Sequence, residues 1–241
     1  MAKHIGVIGN PASGKSIFSA ALAKELSKRG KRTILISGDC MIPMQPFFCG
    51  NSGITGLGTL CNGEITAQTV ASAVRVLKKY PDIGVIGVQL GENTATITGR
   101  KLFEIKDVLD EMVDCVIWDG TSDLSTDFNQ MILQHTKDQV CILTVDTKGI
   151  LYYEQNWEVL SRKMLLGGAV RPYSPYSEMS VRVGGFFGKL PFSREIERLM
   201  LEGDIFSIDQ VWHDKYRLAV EAVVERMYEK KEEKIDFWDK S

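Results

Sequence analysis

Eight consecutive residues, Gly9-Asn10-Pro11-Ala12-Ser13-Gly14-Lys15-Ser16, have the spacing G-x-x-x-x-G-K-[ST]. Each fixed type in that spacing has a task around a polyphosphate. The glycines let backbone N–H groups turn inward onto phosphate oxygens, and a helix opening at Lys15 adds the partial positive charge of its N-terminus. Lys15 reaches the β and γ phosphates, and the Ser16 hydroxyl is a ligand for Mg²⁺. The segment from Gly9 to Ile17 is therefore expected to bind a nucleotide. Such a site also needs a carboxylate at a nearby strand end to hold the metal, usually through water. Asp119 fits, because it follows the apolar run Cys115-Val116-Ile117-Trp118. Gly120 follows as a flexible switch, and Asp123 reads as a cap of the next helix. Asp39 stands just past an apolar run at the mouth of a long irregular loop, where a carboxylate can position the water that attacks the γ phosphate. Gly38-Asp39 is equally plain turn chemistry.

The elements that must hold these groups follow from the alternation of apolar runs with helical patterns, the signature of βα units around a mainly parallel sheet. A strand is expected at His4 to Ile8, a helix at Lys15 to Arg29 ended by Gly30, and a strand at Arg32 to Ser37. Cys40 to Gly63 breaks into Gly, Pro, Asn and Met and reads as a functional loop. A helix is expected at Ile65 to Tyr80, closed by Pro81. Strands are expected at Ile83 to Leu90, Cys115 to Trp118 and Gln139 to Val145, with helices at Gly99 to Met112, Ser125 to His135 and Ile150 to Met164. Gly167 to Ser180 reads as a loop, Val181 to Leu190 as the last strand and Ile208 to Lys231 as a final amphipathic helix. The expected fold is a doubly wound α/β sheet with helices on both faces, in a single domain over residues 1–241.

Composition narrows the function classes. With 29 Lys+Arg against 31 Asp+Glu, the net charge of −2 lacks the basic excess of a nucleic-acid binder. No apolar stretch approaches the roughly 20 residues that span a bilayer, and no secretory signal is seen, so a cytoplasmic location is expected. The five cysteines, Cys40, Cys49, Cys61, Cys115 and Cys141, have no metal or disulfide spacing and read as structural residues of a reducing compartment. His4, His135 and His213 share no spacing and are taken as structural. Tyr152, Tyr153 and Trp157 are taken as helix packing.

With the phosphate loop, Asp39 and Asp119 in place, nearly the whole chain resembles the MinD/ParA family of P-loop ATPases, including its CpaE and TadZ pilus-localisation branch. Leu143-Thr-Val-Asp-Thr resembles the strand-to-loop element after the second switch. Gly188-Lys-Leu-Pro-Phe-Ser-Arg-Glu-Ile resembles the late stretch whose loop borders the adenine, which implies that Pro191 and Phe192 line the base. The resemblance implies Mg-ATP binding and hydrolysis, a nucleotide-dependent homodimer, and a protein partner in positioning a pilus, secretion or partition machine. Two departures stand out. The family's second lysine, directly after the first loop glycine, reaches across the dimer to the partner's nucleotide, and Asn10 stands there instead. The family's adenine-reading asparagine, at the end of the strand after Met164, has no counterpart in Gly168-Ala-Val-Arg-Pro-Tyr. The tail from Glu232 to Ser241 does not resemble MinD's basic membrane helix, since Asp236 and Asp239 flank Phe237-Trp238.

Three readings are open at this level. The leading one is a slow ATPase switch with Lys15 and Asp39 as its catalytic groups. Loss of turnover would leave a nucleotide-binding scaffold, a reading that Asn10 favours. A ligase of the dethiobiotin-synthetase type would use the Cys40 to Gly63 loop as a substrate pocket.

Overall fold

The computed structural model describes residues 1–44, 48, 55–211 and 214–229. Cys49, His213 and the acidic tail with Phe237 and Trp238 lie outside the described residues. Strand β1 (Lys3–Gly9) is buried from His4 to Gly9, as a strand covered on both faces must be. Side chains alternate about it. Ile5 and Val7 join one core with Ile117 and Ile142, while Ile8 joins the other with Trp118 and Cys141.

Helix α1 (Lys15–Lys28) lies in the first core, buried through Phe18, Ala20 to Ala23 and Leu26. The remaining strands are β2 (Thr33–Ser37), β3 (Arg75–Leu77), β4 (Tyr80–Gly87), β5 (Cys115–Asp119), β6 (Asp138–Thr144), β7 (Met164–Val170) and β8 (Gly188–Pro191). Their order is β3-β4-β2-β5-β1-β6-β7-β8, and every pair is parallel except β3 with β4. The strand order therefore reverses at β1, and the crevice above its C-terminal end is where open α/β sheets bind ligands.

On the other face lie α2 (Leu57–Asn62), α3 (Ala67–Ala73), α4 (Gly99–Met112), α5 (Asp127–His135), α6 (Thr147–Gln155), α7 (Trp157–Leu160) and α8 (Tyr176–Arg182). The α1 side is completed by α9 (Arg194–Glu202), a 3₁₀ turn at Ile205–Gln210 and α10 (Asp214–Glu229). Among the described residues, no helix is long and apolar enough to cross a membrane.

Five expected elements are corrected. The helix expected from Ile65 to Tyr80 stops at Ala73, and the chain turns into the β3–β4 hairpin because Val74 packs over Gly84 of β4. The strand expected from Ile83 starts earlier, at Tyr80. The helix expected from Ile150 to Met164 is split into α6 and α7, with α6 capped by Asp146, and Met164 already belongs to β7. Gly167 to Ser180 is not a loop: it holds the end of β7 and the start of α8, and the last strand shrinks to Gly188–Pro191. Two adjacent glycines hid β7. A Cβ on Gly168 would run into the Ser13 carbonyl, so the strand passes directly against the phosphate loop.

Candidate nucleotide site

Residues Gly9 to Lys15 form the turn between β1 and α1, and the backbone there needs its glycines. Gly9 has φ +151° and a Cβ would strike the Ile142 carbonyl, while Gly14 caps α1 at φ +92°. Ala12 also sits in the left-handed region, at φ 58°. The Ser13 hydroxyl is buried and has no partner among the described residues, and Ser13 lines the clefts on both sides of the loop.

The Lys15 ammonium is buried and donates to the Asn10 carbonyl (3.1 Å) and to the Ser122 hydroxyl (2.9 Å). Burial lowers its pKa, against the opposing pull of the Asp119 and Asp39 carboxylates. Asp119 is fully buried at the end of β5. Its carboxylate accepts from the hydroxyls of Ser19 (3.1 Å), Ser37 (3.5 Å) and Ser16. Desolvation pushes its pKa from 3.8 up to about 6, although Ser16, Lys15 and Ser19 hold it down. A carboxylate and a hydroxyl in contact, both oxygen donors and beside a phosphate-binding turn, suit Mg²⁺.

Asp39 stands across the cleft from the loop. Its Oδ1 accepts from the Met41 and Ile42 amides, both at 2.9 Å, so it closes a turn. It also lines a cleft of about 560 Å³ with Pro11 to Ile17, Ser122 and Glu197. The turn expectation for Asp39 is realised in its bonds, and its place in the cleft lining is what the water-positioning reading would use. On its far side lies a second cavity of about 680 Å³, walled by Cys40, Ile42, Ile97, Thr121 and Phe128.

The switch expected at Gly120 is held rather than loose. Gly120 N donates to the Val7 carbonyl (2.8 Å), and the fully buried Asn129 amide bonds Thr121 N, Thr121 O, Thr121 Oγ1 and Asp123 O. Thr126, not Asp123, caps α5; Asp123 instead accepts from Ser125 N and Oγ.

Asn10 corrects another expectation. Its side chain turns inward, with Nδ2 donating to Thr144 Oγ1 (2.9 Å) and the Pro11 carbonyl (3.1 Å), and Oδ1 accepting from Thr144 N (2.8 Å). Only 1% of the residue is exposed. Its backbone carbonyl is the group that meets the Lys15 ammonium. Pro191 and Phe192 do come to the loop, lining a narrow recess with Ala12, Ser13, Gly14 and Ile17. Ser122, Asn129 and Thr144 escaped sequence reasoning, because short polar side chains near strand and helix ends look like ordinary caps. The histidines accord with a structural role where they are described: His4 accepts from Trp118 Nε1 and bonds Asp110, and His135 packs on Phe103. Trp157, expected to pack, is 58% exposed. No group of His, Cys, Asp and Glu among the described residues could form a metal cluster.

In sequence, no family model and no curated protein matches this chain. In structure the likeness is extensive. It is similar to the septum site-determining protein MinD complexed with Mg-ADP from Pyrococcus horikoshii, with a TM-score of 0.78 at 16% identity over 98% of this chain and 100% of that one. A ParA family ATPase from Chlorobium tepidum gives 0.77 at 13% identity, over 92% and 98% of the two chains. MinD in the MinC:MinD cell division complex of Aquifex aeolicus gives 0.72 at 13% identity, over 94% and 96%. With a glycine-bounded turn at the reversal point of an eight-stranded sheet and a buried carboxylate one strand away, the fold of this chain is that of the MinD/ParA P-loop ATPases.

Proposed function

We propose that this chain is a single P-loop domain that binds Mg-ATP and hydrolyses it slowly, as a cytoplasmic switch that alters contacts with a protein partner. The observation that carries the reading is the convergence of Lys15, Ser16 and Asp119 above the C-terminal end of β1. Loop amides and Lys15 bind the phosphates; Lys15 exchanges the Asn10 carbonyl and Ser122 for phosphate oxygens. Ser16 and Asp119 would hold Mg²⁺, which would supply positive charge against the phosphates. Asp39 orients the attacking water through its free oxygen.

Slow turnover follows from Asn10. Its amide is spent on Thr144, so this position supplies no cation to the charge that develops on a γ phosphate, and such cations are worth about 10³-fold or more in related transfers. A face-to-face homodimer then rests on loops around Asp39 and Gly120 to Leu124. Similar structures include MinD complexed with Mg-ADP and a MinC:MinD complex, which supports a nucleotide-controlled protein contact here, in positioning or assembling a pilus, secretion or partition machine. The test is phosphate release by the isolated protein, with sedimentation in ADP and in ATP. Brisk hydrolysis without a partner would overturn the slow-switch reading.

The cavity of about 680 Å³ beyond Asp39 favours one alternative, an ATP-dependent small-molecule enzyme whose substrate sits there. A metabolite that raises the melting temperature only together with Mg-ATP would establish it.

A further inference from the structure

The reading above leaves the base end of the nucleotide undetermined, and the path of β7 bears on it. Pairing between β7 and β8 shifts register between Gly167 and Val170, and Ala169 within that shift has φ 49°. Ala12 and Ala169 are the non-glycine residues with positive φ among the described residues. They line the same two cavities, one on each side of the loop's flank. Strain of this kind persists where the surroundings over-determine it, most often at ligand sites. The shift brings Val170 opposite Pro191, and Phe192 N donates to the Val170 carbonyl at 2.9 Å. Arg171 and Phe192 are thereby neighbours across the strand ends.

The Arg171 guanidinium lies over the Phe192 ring, 4.2 Å from its centroid, and Nη1 donates to the Tyr173 hydroxyl at 3.0 Å. Ring and hydroxyl together hold the plane of the guanidinium. Arg171 also lines a cavity of about 570 Å³ that opens on Ala12 of the phosphate loop and includes Thr144, Asp146, Gly168 and Tyr173. That volume suits a nucleoside. Three of the polar side chains around it are already engaged. Thr144 Oγ1 donates to Asp146 Oδ1 (2.7 Å), which also takes the Gly149 amide (3.0 Å) as the cap of α6, and Ser174 Oγ takes the Arg171 amide (3.0 Å). A base entering this cavity meets the flat cation of Arg171.

We infer that the base stacks on the Arg171 guanidinium, backed by Phe192, and that the protein accepts guanine nucleotides about as well as adenine ones. Stacking discriminates little between purines because each has a π-face, whereas selectivity comes from edge hydrogen bonds. The inference rests on the Mg-ATP reading and assigns to it a base-binding residue, Arg171, and a purine nucleoside triphosphate as ligand class.

Calorimetric titration of the full chain with Mg-ATP, Mg-GTP and inorganic tripolyphosphate tests it, together with Arg171→Ala and Arg171→Lys. The expected result is that ATP and GTP bind within about three-fold of each other, a gap too small for an edge hydrogen bond. Arg171→Ala should weaken both by about ten-fold, the scale of one stacking contact, and leave tripolyphosphate unchanged. Arg171→Lys should not restore binding, since it keeps the charge and loses the plane. Preference for ATP by about 100-fold, full rescue by lysine, or an unaltered Arg171→Ala would overturn the proposal while leaving the phosphate loop intact. Failure of the unsubstituted protein to bind even tripolyphosphate would remove the nucleotide reading itself, and this proposal with it.

Discussion

The two ends of the nucleotide cleft are built by different means. At the Asp39 and Asp119 end, buried hydroxyls and amides form a closed web: Lys15 on Ser122, Ser16, Ser19 and Ser37 on Asp119, Asn129 on the loop after β5. At the β7–β8 end, the surface is shaped by a register shift, a backbone outlier and an arginine lying on a ring. The first end is specified by side chains whose polar atoms must be satisfied, and the second by where the backbone can go. The comparison teaches that the polar end tolerates little change in residue type, while the shape of the other end depends on strand geometry.

The strongest way to break this contrast is to remove the cation at the web's centre. Lys15→Ala should lower Mg-ATP affinity by at least about 100-fold, as expected for a charge-assisted phosphate contact. Because a buried ammonium gains little from the folded state, the melting temperature should shift by no more than about 4 °C. Undiminished affinity, measured by titration, would show that the phosphate lies elsewhere.

Asp119→Asn should act in two opposite directions. In the protein without metal, the folded-state pKa of about 6 lies above the ordinary 3.8, so the folded form binds more protons. Stability then falls as pH rises from about 4 to 6, and the penalty, about 3 kcal/mol at most, persists above that window. The amide removes it, so the variant should be more resistant to urea at pH 7 and lose the dependence on pH between 4 and 6. The same variant should lose the gain in nucleotide affinity that Mg²⁺ brings. A variant less stable at pH 7 would mean that hydrogen bonds from the three serines outweigh the desolvation.

Asn129→Ala should cost about 2 kcal/mol in denaturant unfolding, since the Thr121 amide and the Thr121 and Asp123 carbonyls lose their partner. A loss under about 0.5 kcal/mol would show that the loop rearranges freely and is a switch of the kind expected at Gly120. The smallest effect is that of Asp39→Ala. ATP affinity should stay within a few-fold while hydrolysis slows by about ten-fold or more, because a water-positioning group acts in the transition state. Unchanged phosphate release would leave Asp39 as the closure of its own turn.

The same contrast explains what was legible in the sequence. Lys15, Ser16 and Asp119 were, because a motif between strand and helix and a carboxylate ending an apolar run are local patterns that the sheet brings together. The residue-by-residue path of β7 was not, because Gly167-Gly168 looks like a loop until the Ser13 carbonyl is seen against it. The β3 hairpin was hidden in the same way, since Val74 fits a helix pattern and only contact with Gly84 on β4 turns the chain. Asn10 marked a change from the family pattern, yet its inward bond to Thr144, 134 residues away, is a fact of tertiary structure.

The sheet ends on both sides in short strands, three residues in β3 and four in β8, the latter closed by Pro191, which lacks an N–H. An edge that short and partly stripped of donors is a poor template for another chain's backbone. Association of this protein with itself or with other molecules must therefore be built from side chains on its helices and loops. Such contacts can be dissolved again when the surface changes shape, whereas a continuous intermolecular sheet would resist release.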